Sequence, residues 1–316
     1  MQPSEIRSKA ESIRLSIEKV LIGKSGEIEL VLAALLSNGH VLLEDVPGTG
    51  KTTLAKALAR SVDCKFRRVQ FTPDLLPTDL TGLNYYSPKT GEFSFRPGGL
   101  FTNILLADEI NRATPRTQSG LLECMEERQI TVDSDTYPLP PPYFVIATQN
   151  PIETQGTFPL PEAQLDRFLM QLTVGYPAAE GEADIIDRFI AQNPLEALEP
   201  VVTGAELVEM QKAVSSVKVH PDLRRYIVEI TKATRDHEGV ALGVSPRGSL
   251  MLARACQSFA ALRGRDFVTP EDVKHLAPFV YTHRLILRGV SQNSQKARIV
   301  EDALNRVPVP TEAIWS

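Results

Sequence analysis

The spacing of apolar residues changes near residue 177. Before that point, apolar runs without alternation occupy 104 to 107 and 143 to 147, and a further strand is expected at 41 to 44. Such runs are typical of strands covered on both faces, as in a parallel sheet. Helical spacing lies between them, for example over 115 to 127, and strands that alternate with helices predict an α/β core built on a parallel sheet.

Beyond residue 177 the patterns are helical only, and we expect helices at 180 to 192, 204 to 214, 221 to 236, 246 to 262 and 270 to 286. Thr269-Pro270-Glu271-Asp272 begins the last of these with an N-cap residue, a proline and acids in the first turn. The α/β part also contains helices at 4 to 20 and 29 to 37 and strands at 64 to 71 and 168 to 173. We therefore expect an α/β domain over 1 to 177 and a small all-α domain over 178 to 316.

Two segments of the α/β part predict inserted β-hairpins. In 82 to 101, a turn cluster at 87 to 92 is flanked by the aromatic residues Tyr85, Tyr86, Phe93 and Phe95. A second candidate spans 129 to 142, with two aspartates at its tip. The aromatic residues of the first hairpin either contact a partner protein or cover the hairpin's own core.

The segment from His40 to Thr53 has the order strand, glycine turn, helix. This order is typical of a phosphate-binding loop, in which backbone N–H groups and the positive end of a helix dipole face an anion. Lys51 is expected to reach the β and γ phosphates, and the Thr52 hydroxyl is expected to hold Mg²⁺. The residues predicted to bind the nucleotide are Asp45, Val46, Pro47, Gly48, Thr49, Gly50, Lys51, Thr52 and Thr53.

Asp45 departs from the loop pattern, which begins with glycine. A carboxylate that faced the phosphates would repel them. We therefore expect the side chain of Asp45 to turn away or to bind the backbone of the loop.

Polar side chains follow two of the buried runs. Asp108 and Glu109 follow 104 to 107, at the edge of a parallel sheet where ligands bind. Neighbouring residues on a strand point to opposite sides, so we expect Asp108 to hold the Mg²⁺ shell and Glu109 to activate the attacking water. Taken alone, such an acidic pair is equally typical of a solvated strand end. Asn150, after 143 to 147, is either a phosphate or water ligand or an ordinary Asn-Pro turn residue.

Two arginines, Arg167 and Arg247, are also candidate catalytic residues. The full set is Lys51, Glu109, Asn150, Arg167 and Arg247. Arg247 lies in the first turn of a predicted helix, where a cation costs about 0.3–1 kcal/mol. That cost is offset if the helical domain acts as a lid and brings Arg247 close to the nucleotide. In the alternative, Arg247 is a surface arginine paired with an acid. Arg167 is the candidate for a cation supplied to a neighbouring subunit.

Composition narrows the class of protein. The 316 residues carry a net charge of −5 and are 42% hydrophobic, which gives no general electrostatic attraction to nucleic acid. The cysteines, Cys64, Cys124 and Cys256, are far apart, so we interpret them as reduced thiols. The sequence has no apolar run as long as a membrane span and no signal peptide, and a cytoplasmic protein is expected.

Together these motifs resemble those of AAA+ ATPases, specifically the MoxR family. The resemblance covers nearly the whole chain and rests on the loop at 46 to 52, Leu105-Leu106-Ala107-Asp108-Glu109-Ile110-Asn111-Arg112-Ala113, Ala147-Thr148-Gln149-Asn150-Pro151, 160 to 168, 245 to 247 and 262 to 266. It implies a P-loop AAA+ αβα core with a helical lid and two inserted hairpins. It also implies an ATP hydrolase that uses Mg²⁺.

The resemblance further implies residue roles: Walker A at 45 to 52, Walker B at 104 to 109, sensor 1 at Asn150, an arginine finger at Arg167 and sensor 2 at Arg247. Members of the family generally work as homo-hexameric rings with ATP between subunits. They are regarded as chaperone-like proteins that remodel or activate clients, often with a von Willebrand factor A domain, and that assist metal or cofactor insertion.

Two other functions remain open. The chain could be a nucleic-acid motor or loader, and the basic residues available for it, which we interpret mainly as solvated faces, are Lys65, Arg67, Arg68, Arg284, Arg288, Lys296 and Arg298. It could instead be a switch that binds ATP without hydrolysing it, although Glu109 argues against this.

Overall fold

The computed structural model of the chain describes residues 1–89, 91–151, 156–191, 193–289 and 293–310. Thr90 of the first predicted hairpin turn and the predicted helix end at 192 lie outside these residues. The strands are β1 (Val41–Glu44), β2 (Phe66–Gln70), β3 (Gly82–Ser87), β4 (Glu92–Pro97), β5 (Ile104–Asp108), β6 (Gln129–Val132), β7 (Asp135–Pro138), β8 (Phe144–Gln149), β9 (Met170–Leu172), β10 (Val240–Leu242) and β11 (Ile286–Leu287).

The helices are α1 (Pro3–Glu18), α2 (Ser25–Leu36), α3 (Lys51–Ser61), α4 (Pro77–Thr81), α5 (Pro115–Glu127), α6 (Glu162–Leu165), α7 (Ala179–Ala191), α8 (Gly204–Val214), α9 (Pro221–Arg235), α10 (Pro246–Leu262), α11 (Pro270–Tyr281) and α12 (Asn293–Arg306). Short 3-10 turns follow β5 and α11.

The main sheet is parallel and has the strand order β2-β5-β8-β1-β9. Its central strands β5 and β8 are buried along nearly their whole length, as expected of strands covered on both faces. One face packs on a core formed with α1 to α3 and the helices that follow β9. The other face packs on α5 and the residues leading to it. The predicted parallel α/β sheet is confirmed.

Both predicted hairpins are present as separate antiparallel pairs, β3–β4 and β6–β7. They pack against each other, since the rings of Phe95 and Tyr137 stack with centroids 4.0 Å apart and Asn84 donates a hydrogen bond to Asp133 at 2.8 Å. Phe95 thus covers the hairpin core, whereas Phe93 is 74% exposed. The alternative in which the aromatic residues cover the hairpin core therefore describes Phe95, and contact of the exposed members with a partner stays a prediction.

The segment after β9 is mainly helical, as predicted, and differs in three details. The helix expected over 270 to 286 ends at Tyr281, and α12 extends beyond it. A short antiparallel pair, β10–β11, joins two distant parts of this segment. Helices α1 and α2 pack against α10, and the division at residue 177 stays a prediction. Among the described helices, none is both long and apolar enough to cross a membrane.

Candidate nucleotide-binding site

The turn between β1 and α3 depends on two glycines. Gly48 has φ +84° and Gly50 has φ +86°, in the left-handed region that favours glycine. Gly50 is the N-cap residue of α3. The curled loop leads directly into the first turn of α3, whose backbone N–H groups have no partner within the helix. The start of such a helix is an anion-binding site.

The Asp45 side chain binds backbone N–H groups and is buried. It accepts hydrogen bonds from the N–H groups of Val46 at 2.9 Å, Val174 at 2.9 Å and Gly175 at 2.7 Å. The expectation that Asp45 binds the backbone is confirmed. The carboxylate joins the beginning of the loop to the segment that follows β9.

Lys51 folds back over the mouth of the loop. Its ammonium donates to the carbonyl oxygens of Asp45 at 2.9 Å and Val46 at 2.8 Å. Partial burial lowers the pKa of Lys51, while the nearby charges of Asp45, Asp108 and Glu109 act in the opposite direction. The site thus holds a cation directly beside the anion-binding turn.

Asp108 ends β5 and is held from both sides. Thr148, on the neighbouring strand β8, donates its hydroxyl to Asp108 Oδ1 at 2.6 Å. Arg68, on β2, donates to Oδ2 from Nε at 3.0 Å and from Nη2 at 2.6 Å. This carboxylate is therefore fixed in orientation at the carboxyl edge of the sheet.

Glu109 is the residue at which the chain leaves β5, and its φ is +55°. Its N–H donates to the Thr148 hydroxyl at 2.8 Å. Its carboxylate accepts from the amide of Gln70 at 2.8 Å and forms an ion pair with Arg112 at 3.0 Å. The carboxylates of Asp108 and Glu109 thus have different partners, and their two expected roles stay predictions.

These groups surround one cavity of about 410 Å³, lined by Pro47, Gly48, Gly50, Lys51, Thr52, Thr53, Arg68, Gln70, Asp108, Glu109, Thr148 and Asn150. A second cavity of about 430 Å³ lies on the other side of the loop. It has an apolar wall that includes Leu21, Ile22, Ile185 and Phe189. A charged cavity and an apolar cavity thus flank the same turn.

Arg167 and Arg247 lie elsewhere, and neither lines the two cavities within the described part of the chain. Both bind Glu126 at the end of α5: Arg167 Nε donates to Oε2 at 2.9 Å and Arg247 Nη1 donates to Oε1 at 2.6 Å. The structure brings the two predicted arginines together and leaves them apart from the loop. In this structure Arg247 is a partly exposed arginine paired with an acid, which is the second of the two alternatives given for it.

Comparison with known proteins agrees with this geometry. The family model described as "ATPase family associated with various cellular activities (AAA)" matches residues 40–170, and an AAA lid domain matches residues 232–303. Chaperone MoxR1 of Mycobacterium tuberculosis is 45% identical, with 86% of this chain and 74% of that protein covered. Protein MoxR of Paracoccus denitrificans is 33% identical, with 97% and 98% covered.

This chain belongs to the MoxR family of AAA+ ATPases. A crystal structure of a Cytophaga hutchinsonii protein, 36% identical, has a TM-score of 0.90 and covers 98% of this chain and 97% of that one. The Bacillus subtilis protein YeaC is 50% identical, with 94% of this chain and 93% of that protein covered. The MoxR fold expected from the sequence motifs is thereby confirmed.

The sequence did not point to several residues of this MoxR-family site. Arg68, interpreted as part of a solvated basic face, pairs with Asp108 in the cavity, and Gln70 binds Glu109. Gln70 ends β2 and Arg68 lies two residues before it on the same strand, and the only available signal was that parallel strands end at one edge. Arg284, placed in the same set of surface cations, is instead buried. The roles of the predicted site residues stay predictions.

Proposed function

We propose that this MoxR-family chain hydrolyses ATP with Mg²⁺ in a homo-hexameric ring and uses the energy to remodel or activate client proteins. The supporting observation is one cavity that combines an anion-binding turn, Lys51, the two acids Asp108 and Glu109, and Asn150. A solvated acidic pair would not be expected to share a cavity with a phosphate-type loop.

The lining residues suit the proposed ligands. The loop N–H groups and Lys51 fit a triphosphate, and the apolar wall beside the loop fits the base. The Thr52 hydroxyl and the Asp108 carboxylate are hard oxygen ligands, which Mg²⁺ prefers, and these two residues would hold the ion. Its chemistry there would be to neutralise phosphate charge.

Glu109 is the proposed general base. Gln70 and Arg112 hold its carboxylate, which fixes its direction before water binds. Asn150, buried in the same cavity, would donate to the γ-phosphate or position the water. Arg68 is bound to Asp108 and would have to move aside when that carboxylate takes a cation.

Arg167 and Arg247 are proposed to act on the nucleotide of a neighbouring copy. Their shared partner Glu126 lies about 17 Å along α5 from Pro115, at a rise of about 1.5 Å per residue, and α5 starts just beyond Glu109. Because both arginines bind one carboxylate, they are available to the same anion. The nucleotide that Arg247 is expected to reach from the lid is then that of the neighbouring copy.

Client contact is proposed for the outer end of the first hairpin. Tyr86 and Phe93 lie opposite each other in the β3–β4 register, with ring centroids 5.4 Å apart, and both are exposed. The proposed client carries a von Willebrand factor A domain. Remodelling of this client is proposed to assist metal or cofactor insertion. Replacing both residues with serine should lower binding to a purified protein of that class while hydrolysis continues; loss of both activities, or of neither, would argue against the assignment.

The nucleic-acid alternative loses part of its basis, because Arg68 pairs with Asp108 and Arg284 pairs with Asp166. ATPase stimulation by DNA that weakens with salt would restore it.

The decisive test is steady-state ATP hydrolysis with Mg²⁺ across a protein dilution series, with mass determination in parallel. The variants are Lys51→Ala and Arg167→Ala, and the matched controls are Lys56→Ala and Arg116→Ala, which replace exposed residues. We expect specific activity to rise with concentration, both test variants to be inactive and Arg167→Ala still to bind ATP. Activity that is independent of concentration and of Arg167 would refute the ring mechanism.

A further inference from the structure

Glu126 is a carboxylate shared by two arginines from separate parts of the chain. Arg167 follows α6 in the α/β core, whereas Arg247 lies in the first turn of α10. Each arginine binds a different oxygen of Glu126, at 2.9 Å and 2.6 Å. One side chain on a third element, α5, therefore holds two cations near each other.

The surroundings explain why a carboxylate is needed at this point. Arg247 faces the positive end of the α10 dipole, which is unfavourable for a cation. Asp166 lies 3.9 Å from Arg247 Nε, but its other oxygen is bound to Arg284 at 2.8 Å. Glu126 is thus the acid that makes the short contact with Arg247, and its negative charge also offsets the repulsion between the two guanidinium groups.

The bond to Glu126 leaves donors available. Arg167 uses its Nε, and among the described residues its terminal nitrogens make no hydrogen bond. A guanidinium held by one edge can present the other edge to a phosphate. The contact with Glu126 is therefore compatible with anion binding and restricts the directions in which Arg167 can point.

We propose that Glu126 is a positioning residue that presents Arg167 and Arg247 as a pair to the nucleotide of a neighbouring copy. This inference rests on the proposed function and extends it to a residue outside the motifs. The hydrogen bonds from Arg167 and Arg247 lower the pKa of Glu126, so the carboxylate is ionised at neutral pH.

If Glu126 served only to stabilise the fold, its replacement would lower the melting temperature. The side chains of Glu126, Arg167 and Arg247 are 30 to 38% exposed, and ion pairs of this kind contribute little to stability. Loss of Glu126 should therefore leave the melting temperature nearly unchanged. Its effect should appear in kcat, because misdirected cations stabilise the transition state less.

The test compares Glu126→Gln with Glu127→Gln at a protein concentration that gives full ATPase activity. Glu127 is the matched control, since it is the next residue on α5, is exposed and has no ion pair within the described ranges. We expect Glu126→Gln to lower kcat about tenfold while the affinity for a fluorescent ADP analogue stays within about twofold. Glu126→Asp should recover part of the loss.

A second arm identifies the partner through which Glu126 acts. In an Arg247→Lys background the pair is already disturbed, so Glu126→Gln should lower kcat by less than about threefold. An undiminished tenfold loss in that background, or equal kcat values for the Glu126 and Glu127 variants, would overturn the proposal.

The proposed function can fail separately. If Arg167→Ala and Arg247→Ala both hydrolyse ATP at the wild-type rate, the role of the arginines is wrong and the positioning role falls with it. If both lose activity while Glu126→Gln retains it, only the positioning role is wrong.

Discussion

Replacing Asp45 with alanine should destabilise the fold at a position that the loop pattern assigns to glycine. The carboxylate accepts three backbone N–H groups, of which that of Val174 is fully buried and those of Val46 and Gly175 are partly buried. A buried donor without a partner costs about 1–3 kcal/mol, and water can partly satisfy the other two. We therefore expect Asp45→Ala to lower the free energy of unfolding by about 3 kcal/mol.

Urea denaturation of wild type, Asp45→Ala and Asp45→Asn measures this change. Asparagine can place its oxygen where Oδ2 accepts from Val174 and Gly175, and its NH₂ group then opposes only the N–H of Val46. Its loss should therefore be smaller than that of alanine. Glu209→Ala is the control, because Glu209 is exposed on α8 and should change the free energy by less than about 0.5 kcal/mol. If Asp45→Ala loses less than about 1 kcal/mol, the three bonds do not hold the loop to the segment after β9.

Three further predictions concern hydrolysis, pH and assembly. Glu109→Gln should retain ATP binding but lose turnover, and unchanged turnover in a filter-binding and phosphate-release assay would remove Glu109 as the base. Burial lowers the pKa of His40 to about 3, and only the unfolded state takes up that proton, so His40 should reduce stability by about 1.4 kcal/mol per pH unit as the pH falls below about 6.5. Burial also lowers the pKa of His283, which adds to the slope. His40→Gln should therefore reduce the slope of urea-derived stability against pH, and an unchanged slope contradicts this. Ile190 is 80% exposed on α7 and follows Phe189, which lines the apolar cavity, and it should contact a neighbouring copy. Ile190→Glu should therefore shift sedimentation toward monomer, whereas Val228→Glu, at an exposed position on α9, should not.

The sheet and the loop could be predicted because they depend on local patterns. The apolar runs at β5 and β8 leave no polar face, and the glycines at 48 and 50 occupy positions that require positive φ. Helix α5 was predicted with the bounds that the structure has, since proline begins it and its apolar spacing is regular. The hairpins were found from turn residues between aromatic runs.

The end of the chain was less predictable for physical reasons. Strands β10 and β11 have three and two residues and pair across more than forty positions, so no local pattern indicates them. Helix α12 buries only Ile299, Val300 and Ala303 among many charges. A stripe that narrow is hard to separate from a solvated segment.

The site shows the same division between local and distant information. The loop, Asp108, Glu109 and Asn150 come from motifs, and the structure brings them into one cavity. The contacts of Arg68 and Gln70 depend on the register of β2 against β5, which places Gln70 beside Asp108. Glu126 depends on the packing of three elements, and nothing in its local sequence distinguishes it from Glu127.

Helix α5 gives the proposed mechanism its geometry. One end follows Glu109, which belongs to the cavity of this chain, and the other end carries Glu126 with its two arginines. An arginine side chain is much shorter than the helix, so rotation about its own bonds does not bring these cations from the second end to the first. If the arginines are needed for hydrolysis, each chain holds the nucleotide cavity of one site near the start of α5 and the arginines of another site at its end. The halves can then meet between copies without a rearrangement of the chain, which is why the concentration dependence of hydrolysis tests the proposal more directly than the activity of any single variant.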